Sequence, residues 1–140
     1  MKKTVTLAIS LIIAVFFQFS CQTDLGDLDR VTVIENVIGK WHVVRDDGGI
    51  TSEYQVEIIE DNEVENGIIL TNFINNGADA HATINDLEIT VPSQQLGTNT
   101  VNASGVISND FQSIEWNITI DNDNVTAIFT PGTITKKLAL

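Results

Sequence analysis

Two histidines and several closely spaced Asp and Asn residues are the side chains best equipped for chemistry in this 140-residue chain. A zinc centre needs three or four converging Cys, His or carboxylate ligands, and no such set is assembled around His42 or His81. Both histidines therefore read as solvent-facing. Asp46-Asp47 and Asp121-Asn122-Asp123-Asn124 carry the oxygen ligands calcium prefers. Neither stretch has the Gly and the bidentate Glu that an EF-hand loop places at fixed positions. Asp and Asn are also the residues of tight turns, and a turn is what both predict. Glu57 and Glu115 fall on the polar faces of alternating segments, where nothing perturbs a carboxyl pKa toward catalytic use. There is no Gly-X-Ser-X-Gly, no glycine-rich phosphate loop and no Cys–His pairing. The expectation is a protein that is not an enzyme and holds no metal or cofactor.

The remaining reactive side chain is Cys21, the only cysteine. It follows Lys2 and Lys3, an apolar run from Val5 to Phe17, and Gln18-Phe19-Ser20. A charged start, a short apolar stretch and a small residue before the cut make a secretory signal. The run is shorter than the about 20 residues that span a bilayer. A lone cysteine forms no internal disulfide, and free thiols are uncommon outside the cytoplasm. Phe19-Ser20-Cys21 resembles a bacterial lipobox, whose cysteine is lipidated before cleavage. Gln18 stands where Leu is usual and Phe19 where a small residue is usual, a degeneracy similar to that of Bacteroidetes lipoproteins. The resemblance implies a signal peptide over 1–20, lipid on Cys21 as the link to a membrane partner, and an acidic tether over 21–35. It further implies the outer membrane of a Gram-negative bacterium, on its periplasmic face or at the cell surface.

All 19 acidic residues follow Cys21, against Arg30, Lys40, Arg45, Lys136 and Lys137. Between Asp46 and Thr135 there is no Lys or Arg. Such a surface repels phosphate backbones and disfavours nucleic acid, so no nucleic-acid partner is expected.

The elements that must position these residues are strands. Leu28 to Gly39 is ambiguous, with helical spacing but a β-branched composition. From Lys40 the pattern alternates with period two. Lys40 to Arg45, Ser52 to Glu60, Gly67 to Ile74 and Ala78 to Ile84 are strands, separated by Asp, Asn and Gly turns. Leu87 to Val91 follows and ends at Pro92, which cannot donate to a ladder, leaving Ser93 to Thr98 as a loop. Thr100 to Ser108, Gln112 to Ile120 and Val125 to Thr130 complete eight strands, with Ile134 to Leu138 a further short one. Neighbours in sequence normally pair. The predicted fold over 36–140 is an all-β, antiparallel up-and-down meander closing into a small barrel. Such an interior holds its own side chains or one small ligand.

Gly39-Lys40-Trp41 at the first strand resembles the Gly-X-Trp signature that opens lipocalin-like barrels. Ala82 to Pro92 and Ala103 to Ser108 are similar to the small lipocalin-like lipoproteins of Bacteroidetes. Typical lipocalins add a late arginine over the tryptophan; here only Lys136 and Lys137 follow. The resemblance implies that Gly39 and Trp41 close one end of the barrel. It also implies a small apolar or amphipathic ligand held by Tyr54, Ile69, Phe73, Ile89 and Trp116. The competing expectation is that these side chains fill the core, and that acidic loops present the chain to a glycan, a protein or calcium.

Overall fold

A computed structural model describes residues 30–132, with side chains described from Val33 onward. Cys21, the signal segment and Ile134 to Leu138 lie outside the described residues. The chain forms α1 (Arg30–Val37), then β1 (Gly39–Asp47), β2 (Ile50–Asp61), β3 (Gly67–Thr71) and β4 (Ala80–Asn85). It continues as β5 (Glu88–Leu96), β6 (Asn99–Ile107), β7 (Ile114–Ile120) and β8 (Asp123–Pro131). Every strand pairs antiparallel with its sequence neighbours, and β8 closes on β1 through Trp41↔Pro131 to Asp46↔Thr126. The expected eight-strand meander barrel is the fold.

Period two decides which residues enter the core. β7 alternates strictly, so Ile114, Trp116 and Ile118 are buried while Glu115 and Asn117 are exposed. The same phase buries Tyr54, Val56 and Ile58 on β2 and Val101, Ala103, Gly105 and Ile107 on β6. Full burial of one large apolar side chain contributes about 1.5–3 kcal/mol. A partly exposed pair such as His42 Nε2 to Glu53 Oε2, at 4.0 Å, contributes about 0–1 kcal/mol. The interior therefore holds the barrel together. Apolar inside and polar outside is the reverse of a lipid-spanning barrel.

The two ends differ. At the near end lies α1, whose Val33, Ile34 and Val37 are buried against the barrel. The helix thus begins inside the stretch read as tether, and helical spacing outweighs β-branching there because those three residues have a core to cover. The far end carries the β1–β2, β3–β4, β5–β6 and β7–β8 connections. Gly48 and Gly49, with φ of 66° and 95°, make the first of these turns; Asp121 and Asn122, at 49° and 72°, make the last. Positive φ at both central residues matches the strand twist of a two-residue hairpin.

Two boundaries differ from the sequence expectation by more than two residues. Pro92 does not end β5, which runs to Leu96. The register with β6 slips by one residue between Val91 and Gln94, so Pro92 and Ser93 sit on a bulge where no ladder donor is required. The Gln94 side chain then replaces a strand: its Oε1 accepts from His81 N–H at 2.9 Å and its Nε2 donates to His81 O at 2.8 Å. β3 stops at Thr71, and Phe73 and Ile74 belong to the loop that folds over the far end.

Candidate functional site

Four of the five residues expected to surround a ligand do face inward. Tyr54, Phe73, Ile89 and Trp116 are at most 4% exposed, and they meet one another or other core side chains. Phe73 sits edge-on to Trp116 with ring centroids 5.0 Å apart, and Trp116 lies 5.3 Å from Phe129. Rings at these separations are in packing contact. Ile69 is the exception and a correction: it points outward, opposite Ile59 on β2 and His81 on β4. Gly67 to Thr71 is apolar on both faces, so periodicity could not fix its phase; the structure buries Ile68 and Leu70 instead.

Gly39 and Trp41 are at the near end, where the resemblance placed them. Trp41 is 2% exposed, and its Nε1–H donates to Val37 O at 2.8 Å. That bond satisfies a carbonyl in the last turn of α1 and ties the helix to β1. Gly39 has φ of 134°, which lets the chain turn from helix into strand.

At the far end the β3–β4 loop is fastened across the barrel mouth. Tyr54 Oη donates to Phe73 O at 2.8 Å, Arg45 Nη1 to Ile74 O at 2.9 Å, and Asn76 Nδ2 to Leu96 O at 3.0 Å. The guanidinium carbon of Arg45 lies 5.9 Å from the Tyr54 ring centroid, a cation–π distance. Arg45 also approaches Asp47 at 3.6 Å. Burial pushes the Tyr54 phenol above its usual pKa, with the nearby Arg45 charge acting against it.

Two clefts open on this rim, each of about 280 Å³. The inner one is walled by Arg45, Asp47, Asn76, Asn99, Asp121 and Asp123. The outer one, over β5, β6 and β7, is walled by Ser93, Thr100, Asn102, Thr119, Asp121 and Asn122. Asp121 belongs to both and is rigidly held. Its Oδ1 accepts from Thr100 N–H at 2.9 Å, and its own N–H donates to Thr100 O at 2.9 Å. Composition gave no sign of this rim, because Asn and Asp read as turn formers whether or not they also line a cleft. The one available signal was Arg45, a lone cation at the head of a long acidic stretch.

The other candidate groups serve the fold. Asp46 Oδ1 accepts from Gly49 N–H at 2.8 Å, closing the first turn. Asp110 caps the β6–β7 connection, and the Ser108 hydroxyl and Gln112 N–H hold its carboxyl below the usual range. His81 is exposed, with Nδ1 at 3.4 Å from Asp61 Oδ2; His42 is partly exposed beside Glu53. Among the described residues no three His, Cys, Asp or Glu side chains gather into a metal-holding group, and no helix is long and apolar enough to cross a membrane.

No protein-family model matches the chain, and a search of curated proteins finds no match. Among solved structures it is similar to a redesigned β-barrel. The two share 17% identity and a TM-score of 0.50, covering 71% of this chain and 94% of that one. At this identity the likeness is one of fold: both chains are β-barrels.

Proposed function

We propose that the chain is a lipid-anchored envelope protein that binds a partner at the far rim, with the barrel as a packed scaffold and no catalytic role. The observation that supports this is the division of the molecule. Aromatic side chains pack on one another inside, while polar groups collect around two clefts at the end opposite α1. The chain enters the barrel at the near end, and Cys21 precedes α1 in sequence by a stretch reaching about 30 Å when extended. A barrel hung from Cys21 at that end turns its far rim away from the lipid. From Cys21 onward the sequence carries 5 basic and 19 acidic side chains, 5 − 19 = −14, which disfavours contact with anionic headgroups.

A small apolar or amphipathic ligand inside the barrel is the second reading. Its support is the Trp116 Nε1–H, a buried donor with no acceptor among the described residues. Occupancy through the far end would require Phe73 to leave with the β3–β4 loop.

The test is mass spectrometry of the membrane fraction together with the variant Cys21→Ala. An acylated Cys21, with release of the variant into the soluble fraction, is the expected result. An unmodified thiol, or a variant that stays with the membrane, overturns the anchor. Saturable displacement of a hydrophobic dye by fatty acids would favour the interior site over the rim.

A further inference from the structure

We infer that the two rim clefts form one groove with two subsites for a neutral oligosaccharide. The inference rests on the rim being the binding surface, and it names the chemistry of what binds there. The clefts have equal volumes of about 280 Å³ and share Asp121 as the ridge between them. Each lies at the lower bound of small-molecule sites, about 300 Å³, which is room for a sugar ring or two rather than a large ligand.

The lining selects the class. In the outer cleft Asn102 and Thr119 are direct cross-strand neighbours, with Asn122 and Ser93 at its margins. Carboxamides and hydroxyls both donate and accept, as a ligand built of hydroxyl groups requires. The side chains of Asn99, Asn102 and Asn122 engage no hydrogen-bond partner among the described residues, so the groove offers amides without first breaking bonds. Ile74, Ile120 and Val125 line the inner cleft and supply apolar surface for the C–H face of a ring.

Charge narrows the choice. Asp47, Asp121 and Asp123 border the inner cleft and outnumber its one cation, Arg45, whose Nη1 donates to Ile74 O and whose Nη2 faces Asp47, while its Nε has no partner among the described residues. An anionic ligand therefore meets like charge. A wholly apolar ligand would leave the amides and carboxylates unpaired. A neutral polyhydroxy ligand satisfies both constraints. Asp121 holds the ridge in place through its paired bonds with Thr100, so little ordering cost remains for binding.

Amide chemical-shift titration of the full chain tests this, with cellobiose, maltose and N,N′-diacetylchitobiose as neutral probes and digalacturonate as the acidic one. At least one neutral disaccharide should give saturable shifts at Asn99, Thr100, Asn102, Thr119 and Asp121, with digalacturonate about tenfold weaker. The pair Asn99→Ala and Asn102→Ala, one from each cleft and neither with a side-chain partner to lose, should weaken binding about tenfold, as two lost hydrogen bonds imply, while leaving the melting temperature unchanged. No saturation with any neutral probe, shifts confined to another face, or an equal response to digalacturonate would overturn the inference. The outcome is separable from that of the anchor. Acylated Cys21 with no saccharide response leaves the envelope reading standing, and a saccharide response on an unmodified chain does the reverse.

Discussion

Gly105→Ala tests whether the barrel interior is as full as the ring contacts indicate. Gly105 lies opposite Trp116 across the β6–β7 ladder, and the indole occupies the space that a side chain would take. A Cβ built on Gly105 falls 2.9 Å from Trp116 Cδ2 and Cε3 and 3.0 Å from Cε2. Carbon atoms prefer about 3.5–4.0 Å, so the indole must retreat by roughly 0.6–1 Å. It has nowhere to go: Phe73 stands 5.0 Å from its centroid and Phe129 5.3 Å. Overpacking of this kind costs about 1–3 kcal/mol. Replacing glycine in a strand returns about 0.5–1 kcal/mol of backbone entropy. The net expectation is a loss of about 1–2 kcal/mol, which for a domain of this size lowers Tm by roughly 5–15 °C.

Urea unfolding followed by tryptophan fluorescence measures that loss, and near-UV circular dichroism reports whether the indole environment has changed. Trp116→Phe in the Gly105→Ala background removes the clashing ring atoms, so the double variant should lose less than the sum of the two singles. A Gly105→Ala chain as stable as the parent would mean that the indole moves freely. The interior would then have spare volume, the aromatic cluster could not be called packed, and the ligand-inside-the-barrel reading would gain ground.

Two further outcomes follow from the ends of the barrel. Trp41→Phe removes the Nε1–H that holds Val37 O at 2.8 Å and should cost about 1–2 kcal/mol. The change should be accompanied by faster amide exchange in α1; unaltered exchange would detach the helix from Trp41. Tyr54 is the only tyrosine, so absorbance at alkaline pH titrates it alone. Because burial raises its folded pKa above 10.0, the native state keeps a proton that the unfolded chain releases. That contribution is complete below pH 10 and is lost as pH rises from there through the folded pKa. Tyr54→Phe should flatten this alkaline decline while costing about 1 kcal/mol at neutral pH through the lost bond to Phe73 O. A phenol titrating at its ordinary value would contradict the buried placement.

The barrel was legible from the sequence because strands buried on one face must alternate. Ile114 to Ile120 and Glu53 to Ile58 do so without exception, and the structure follows their phase. Where a strand is apolar on both faces the phase is lost, which is why the sequence points Ile69 inward while the structure turns it outward. Pro92 misled for a different reason. Its missing donor forbids an ordinary ladder position but not a bulge, and the bulge exists because Gln94 can serve His81 in place of a strand. Contacts of this kind join residues far apart in sequence, and no local pattern records them. The same holds for Arg45 on β1, Tyr54 on β2 and Leu96 on β5, the last reached by Asn76, which fasten one loop from three separate strands.

The fastening of that loop bears on which end of the barrel can act. A ligand entering from the near end would have to displace α1, whose Val37 is fully buried and whose terminal carbonyl is held by Trp41. Entry from the far end would have to break the bonds of Tyr54, Arg45 and Asn76 to the backbone and withdraw Phe73 from the aromatic cluster. Each hydrogen bond contributes about 0.5–1.5 kcal/mol net, and exposing a buried Phe costs about 1.5–3 kcal/mol. Opening by either route would consume most of what a small ligand's own burial could return. The rim clefts require no opening. Under the proposed rim reading, surface recognition at the far end would therefore be the lower-energy use of this barrel, and the same bonds that shut the interior would hold the two clefts in shape.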